Sequence, residues 1–255
     1  MPVPGWLRKE ISRKWVMIPA ASICGFLAMS ALVGWYFLPQ WMVVDLYKAN
    51  CKAGRSDCDR AIPLTDLSKT TQVGDAYQHF GLSLQFPWRI VKKKESRTVS
   101  VISFDNGDAA LVFDSDLRIN TEASVRNEIA GRPQIAALFD ANPLRSDYQL
   151  LLAAAELEPR KFSYWMPRKE AIRDSFLAGL RLELVEPDQH GFFLIQQGPL
   201  RGFQGGIPGQ DKCVRLLVFD GTVRRAELAL YSHGDMKQAD VNAVVSSIRI
   251  TTRNE

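Results

Sequence analysis

Residues 15–38, WVMIPAASICGFLAMSALVGWYFL, run for twenty-four positions without an Asp, Glu, Lys or Arg. A helix of that length reaches about 36 Å, against a hydrocarbon layer of about 30 Å. The run therefore predicts a transmembrane helix with the lipid bilayer as its partner. Pro19 falls in the first turns, where a missing N–H costs little, and Pro39 marks the expected stop. Trp15 at one end, and Trp35, Tyr36 and Trp41 at the other, suit the two headgroup layers. A buried helix of a water-soluble domain is the alternative, but such helices rarely run so long without a charge.

The flanks give this segment a direction. Arg8, Lys9, Arg13 and Lys14 precede it against Glu10 alone, so residues 1–14 hold +3 of the chain's net charge of +4. The positive-inside rule then keeps the N-terminus cytoplasmic and exports the larger C-terminal part, to a periplasm if the host is Gram-negative. A cleaved signal peptide would have an apolar core of about 7–15 residues ending in a small-x-small site. Here the run is longer and ends in Gly34, Trp35, Tyr36 and Phe37, which favours an uncleaved anchor. Cys24 has no apolar region ahead of it, so lipoprotein processing there is not expected. The rest of the chain is nearly neutral, which argues against nucleic acid as a partner.

The cysteines test the compartment. Cys51 and Cys58, in CKAGRSDC, enclose a polar loop whose spacing is not that of a CxxC redox or zinc motif. In an oxidising compartment a disulfide is the simplest reading, with two free thiols as the alternative. Closing so short a loop is worth roughly 2–2.5 kcal/mol in the chain-entropy model. Cys213 opens an expected strand and reads as a small buried hydrophobe.

Four segments follow: a basic tail over 1–14, the apolar run over 15–38, a polar stalk over 39–78, and an α+β domain over 79–255. FGLSLQF alternates as a half-buried strand does, before Pro87 and Trp88–Arg89–Ile90–Val91. RTVSVISF and AALVFD flank Asp105–Asn106–Gly107–Asp108, a hairpin signal. Helices are expected from a cap at Asn120 or Thr121 through Glu122–Ala130, over Pro133–Asp140, from Ser146 through Glu156, and from Pro167 to about Gly179. Ser146 and Gln149 have capping-box spacing. Strands return in FFLIQQ, LRGFQGG, CVRLLVF and VRRAELALYS, the last two around Asp220–Gly221, and ADVNAVVSSI closes as an amphipathic helix. Strands, helices, then strands and a helix predict an antiparallel sheet with packed helices.

The opening FGLSLQFPW, a strand ending in Pro with an aromatic just after it, resembles the start of PsbP-like domains. The close, a long hairpin leading into ADVNAVVSSI and Ile250, resembles their end. The resemblance implies an α+β fold serving as a binding or assembly module, and it carries over no catalytic residue.

Chemistry is sparse in the remaining motifs. His79, His190 and His233 stand apart, without HExxH, GxSxG or Ser-x-x-Lys, so no zinc or serine-nucleophile signature is present. RGFQGGIPG lacks the Lys-Ser/Thr of a phosphate loop and reads as an irregular turn, or as the lip of a binding surface. Asp114–Ser115–Asp116 has too few oxygens for calcium. Arg89, Lys92, Lys93, Lys94 and Arg97 suit the guarding of an edge strand, or else contact with anionic headgroups. KFSYWMP at 161–167 either fills the core or presents Tyr164 and Trp165 to a protein partner, and Phe203 is a third candidate contact. The expectation is a membrane-anchored extracytoplasmic binding or accessory protein, of assembly or immunity type, with no cofactor and no metal. The alternative is an envelope hydrolase with dispersed residues, using one of the three histidines as base.

Overall fold

Alternating apolar residues build two sheets, and the helices between them in sequence cover one face of the larger. The computed structural model describes residues 29–49, 51, 58–65, 67, 69–114, 126–139, 145–185, 189–221 and 225–250. Strands β1 (Ile62–Pro63), β4 (Ile90–Glu95), β5 (Val99–Phe104), β6 (Ala109–Phe113), β7 (Phe192–Gln197), β8 (Leu200–Gly205), β9 (Cys213–Phe219) and β10 (Arg225–Tyr231) form one eight-stranded sheet. Its order is β1-β7-β8-β9-β10-β6-β5-β4. Strands β2 (Ala76–His79), β3 (Leu82–Gln85) and β11 (Arg249–Ile250) form a second sheet, ordered β11-β3-β2.

The chain is helical from 29 to 43 (α1) and continues into a π-helical turn, Val44–Lys48. Further helices are α2 (126–130), α3 (Pro133–Ala136), α4 (Asp147–Ala155), α5 (Arg168–Leu184) and α6 (Gln238–Ser247). The fold is thus α+β in three layers. Leu216, Val218, Leu228, Ile102 and Val112 line one sheet face and pack on Leu84 and Phe86 and on Val241 and Val244 of α6. The other face carries Phe192, Phe203 and Phe219 against Leu150, Leu151, Ala171 and Ala178 of α4 and α5. Burial on both faces explains why β10 is covered along all but its last residue.

The eight-stranded sheet manages its edges in two ways. Strand β4 carries Lys92, Lys93 and Lys94 at the free edge, where charge discourages pairing with another chain. At the other edge β1 contains Pro63, which has no N–H to offer a further strand.

Two expectations are corrected. No helix among the described residues is long and apolar enough to cross a membrane, so the transmembrane helix expected over 15–38 does not stand. Residues 15–28 of that run lie outside the described residues, as do the cap at Asn120 or Thr121 and Ser115–Asp116. The fifteen residues of α1 from 29 to 43 reach about 22 Å, short of a hydrocarbon layer. Its last turns also belong to the domain, because Gln40, Val43 and Val44 are buried there. Second, the large sheet is mixed and not antiparallel: β1 runs parallel to β7, with Ile62 opposite Phe193 and Pro63 opposite Leu194. A two-residue strand in a polar stretch carries no periodicity to announce it.

Residues 39–78 therefore contribute β1 and β2 to the sheets. Cys51 and Cys58 lie at disulfide distance, with Cα atoms 5.4 Å apart. Beside them, Arg181 of α5 is 2% exposed and reaches across to the end of α4. Its guanidinium donates to the carbonyls of Ala154 (3.2 Å), Ala155 (3.0 Å) and Leu157 (3.2 Å), and to that of Asp59.

A second charge lies on the same buried stripe of α5. Asp174 is buried with Ala171 and Ala178, and burial raises its carboxyl above the ordinary range despite Arg173 Nε at 2.8 Å. A raised acid favours the folded state most when protonated, and that stability is lost as pH rises through the folded pKa. Asp174→Asn is therefore expected to be more stable than the parent at pH 7 and to flatten the decline above about pH 4. Urea midpoints at the two pH values measure this, and an Asn variant weaker than the parent at pH 7 would reverse the assignment.

Candidate functional site

Two regions of the surface carry chemistry, a cleft at one end of the large sheet and an aromatic platform beside α1. The cleft, of about 680 Å³, is lined by Gly107 and Ala109 at the β5–β6 turn, Gly209 to Lys212 after β8, and Tyr231 to Gly234 after β10. The glycine-rich RGFQGGIPG splits in two here. Its first part is strand β8, and its second part is a turn that forms one lip of the cleft. Gly206 has φ +94°, and a Cβ there would lie 2.6 Å from the Cys213 carbonyl oxygen, so only glycine fits.

Two buried carboxylates hold the lips in place. Asp211, with its side chain 6% exposed, accepts the N–H of Ile207 (2.6 Å) and of His190 (3.1 Å). The same carboxylate lies 2.7 Å from His190 Nδ1. Asp108 accepts the His233 N–H at 3.1 Å and the Asn106 side-chain amide at 2.9 Å.

A carboxylate on Nδ1 is the orienting half of a catalytic triad, leaving Nε2 for a nucleophile's proton. Among the described residues, no hydroxyl or thiol is hydrogen-bonded to His190. Asp211 spends both oxygens on loop groups, which is a structural use of the pair. His233 lines the cleft, whereas His79 sits in β2 with its ring 4.1 Å from that of Phe80. The three histidines are therefore not one site. Among the described residues no group of three or more His, Cys, Asp or Glu is placed to hold a metal ion.

The platform grows from the segment 161–167 and the proline in α1. Inside a helix Pro39 leaves the carbonyl of Trp35 without its usual donor. Arg168 Nη1 supplies one at 2.7 Å, and also reaches the Tyr36 carbonyl at 3.3 Å. Its guanidinium lies 5.5 Å from the Trp35 ring centre and 5.9 Å from that of Tyr36. With that orphan filled, α1 runs through Pro39 instead of stopping at it.

The neighbouring residues lock the same joint. Lys48 Nζ donates to the Phe162 carbonyl at 2.6 Å, and Tyr164 Oη donates to Asp45 Oδ1 at 2.6 Å. That hydrogen bond raises the Tyr164 phenol above its ordinary value. Phe162 is buried as the anchor, and Trp165 packs edge-on against Phe37 with ring centres 6.2 Å apart. Even so, Trp165 is 85% exposed.

Tyr164 and Trp165 are thus brought together with Trp35, Tyr36 and Phe37, as a surface and not as core. Phe203 is not part of it. It is 1% exposed in β8, with the rings of Tyr148 and Phe192 at 5.7 and 6.4 Å, and no partner can reach it. Sequence reasoning missed Arg168, although a proline inside an apolar helix signals a carbonyl in need of a donor. It also missed Asp211, which no local spacing ties to His190. No family model matches the chain, and neither a curated protein nor a solved structure matches it.

Proposed function

We propose that this chain is a binding and accessory module of an oxidising, extracytoplasmic compartment, and that it meets its partner through α1 and Tyr164–Trp165. The carrying observation is a concentration of exposed apolar side chains, Leu32, Trp35, Trp41 and Trp165, on a joint clamped by Arg168, with Trp165 packed on Phe37. Folded monomers rarely leave patches of this kind uncovered unless they are used. Trp, Tyr and Arg are also the side chains that dominate interface energetics. The Cys51–Cys58 pair supports the compartment, because disulfides persist where thiols are not kept reduced. The hydrolase reading retains the His190–Asp211 pair but gains no nucleophile among the described residues.

A photocrosslinking amino acid placed at Trp165 of the full chain in living cells tests this. Lys94, exposed on the far edge of the sheet, is the control position. Adducts are expected at 165 and not at 94. Equal labelling at both positions, or none at 165, would remove the platform as the contact surface.

A further inference from the structure

We infer that the partner of this platform is the headgroup layer of a lipid bilayer, into which the outer end of α1 dips while the domain remains in water. This inference rests on the platform being a contact surface, and it adds what is contacted. The first argument is circumference. Met29, Ser30, Ala31, Leu32 and Val33 are all exposed, and at 100° per residue they point to every side of the helix. A groove on a protein partner covers one face of a helix. A helix that is apolar all round calls for a surrounding apolar medium.

The second argument is a boundary that aromatic residues mark along the same helix, because the exposed residues Met29 to Val33 are followed by rings. The exposed aromatics are Trp35, Tyr36, Trp41, Tyr164 and Trp165, which are side chains suited to the boundary between acyl chains and headgroups. Arg168 is engaged by the Trp35 carbonyl, and beside it Lys169 is exposed, a cation at a helix N-terminus that the helix dipole does not favour and that lipid phosphate would.

The third argument is continuity. Residues 15–28, which lead into Met29, contain no Asp, Glu, Lys or Arg, and Arg8, Lys9, Arg13 and Lys14 precede them. The sequence thus continues the apolar character and then offers cations to anionic lipid.

The test uses the full chain with Cys24→Ala, Cys213→Ala and Trp165→Cys, labelled at 165 with an environment-sensitive fluorophore, the 51–58 pair being kept. A matching chain carries Lys94→Cys in place of Trp165→Cys. Both are reconstituted with vesicles of phosphatidylcholine and phosphatidylglycerol, and their circular dichroism melts confirm that they remain folded. The probe at 165 is expected to shift to the blue and to be quenched more by lipid brominated near the top of its acyl chain than near its end. The probe at 94 is expected to keep its emission in water. A water-like probe at 165, or vesicles that fail to capture the chain, overturns the inference. If cells nevertheless give a protein adduct at 165, the platform stands as a contact surface and only the lipid assignment falls. If they give none, both fall.

Discussion

Arg181→Met is expected to lower folding stability by about 3–5 kcal/mol, because it removes four charge-assisted hydrogen bonds to carbonyls at once. The arginine stands at the C-terminal end of α4, where the last carbonyls of a helix have no partner within it. The Ala154 carbonyl accepts the Leu157 N–H at 3.4 Å, that of Ala155 accepts the Ala61 N–H at 2.8 Å from outside the helix, and Arg181 adds a further donor to each while also reaching Leu157 and Asp59. The positive charge also meets the negative end of the α4 dipole and the face of the Phe192 ring, 4.8 Å away. Methionine fills much of the volume but satisfies none of the oxygens. Lysine keeps the charge, yet its three donors radiate from one point and do not span the same carbonyls. Arg181→Lys is therefore expected to recover part of the loss and not all of it. Urea unfolding of the three proteins measures this through the midpoint at unchanged slope. A loss below about 1 kcal/mol for the Met variant would show that water replaces the guanidinium without penalty. The expected effect exceeds that of the nearby disulfide, about 2–2.5 kcal/mol for so short a loop.

How far the fold was legible depends on the reach of the interaction that builds each part. Ser146 and Gln149 announce the start of α4, and the structure shows the Gln149 N–H on Ser146 Oγ at 3.3 Å. The β5–β6 hairpin follows from Asn106–Gly107, and Gly107 takes φ +90°. Both involve groups within four residues, so sequence suffices. FGLSLQF was harder to divide, since Phe80 and Gly81, both at positive φ, make the turn between β2 and β3 instead of beginning a strand.

Longer reach defeats sequence pattern. His190 and Asp211 are twenty-one residues apart, Arg168 and Trp35 one hundred and thirty-three, and neither pair has a periodicity that joins them. The apolar run was misjudged for a related reason. Hydrophobicity records what each residue would prefer to leave, not what covers it. Val43 and Val44, just past the run, are covered by the domain, while Trp35 and Trp41 are not. Trp165 was legible only as two alternatives, core or surface, because an aromatic cluster looks the same in either.

The segment RGFQGG, read both as a strand and as part of an irregular turn, leads to the second large effect, at Gly202. Clustered glycines suggest a loop, yet Gly202 lies inside β8, paired with Val218 of β9. A Cβ on Gly202 would fall well inside contact distance of the Leu217 carbonyl oxygen and 2.9 Å from Val218 Cα. Both neighbours are backbone, and backbone cannot rotate aside as a side chain does. Gly202→Ala must therefore push β8 from β9 and weaken the ladder at the centre of the sheet, at a cost of about 3 kcal/mol or more. Gly191→Ala is the matched control. Its added Cβ meets Phe193 and Ile207, but only their side chains. Those can change rotamer, so a loss of about 1 kcal/mol is expected there. Thermal and urea unfolding of the two variants side by side decides the point. If Gly202→Ala is as stable as Gly191→Ala, the strands separate without penalty and the close approach of β8 to β9 is not what this glycine is for. If instead Gly202→Ala fails to accumulate as folded protein while Gly191→Ala does, the backbone contact is the reason a glycine stands in mid-strand.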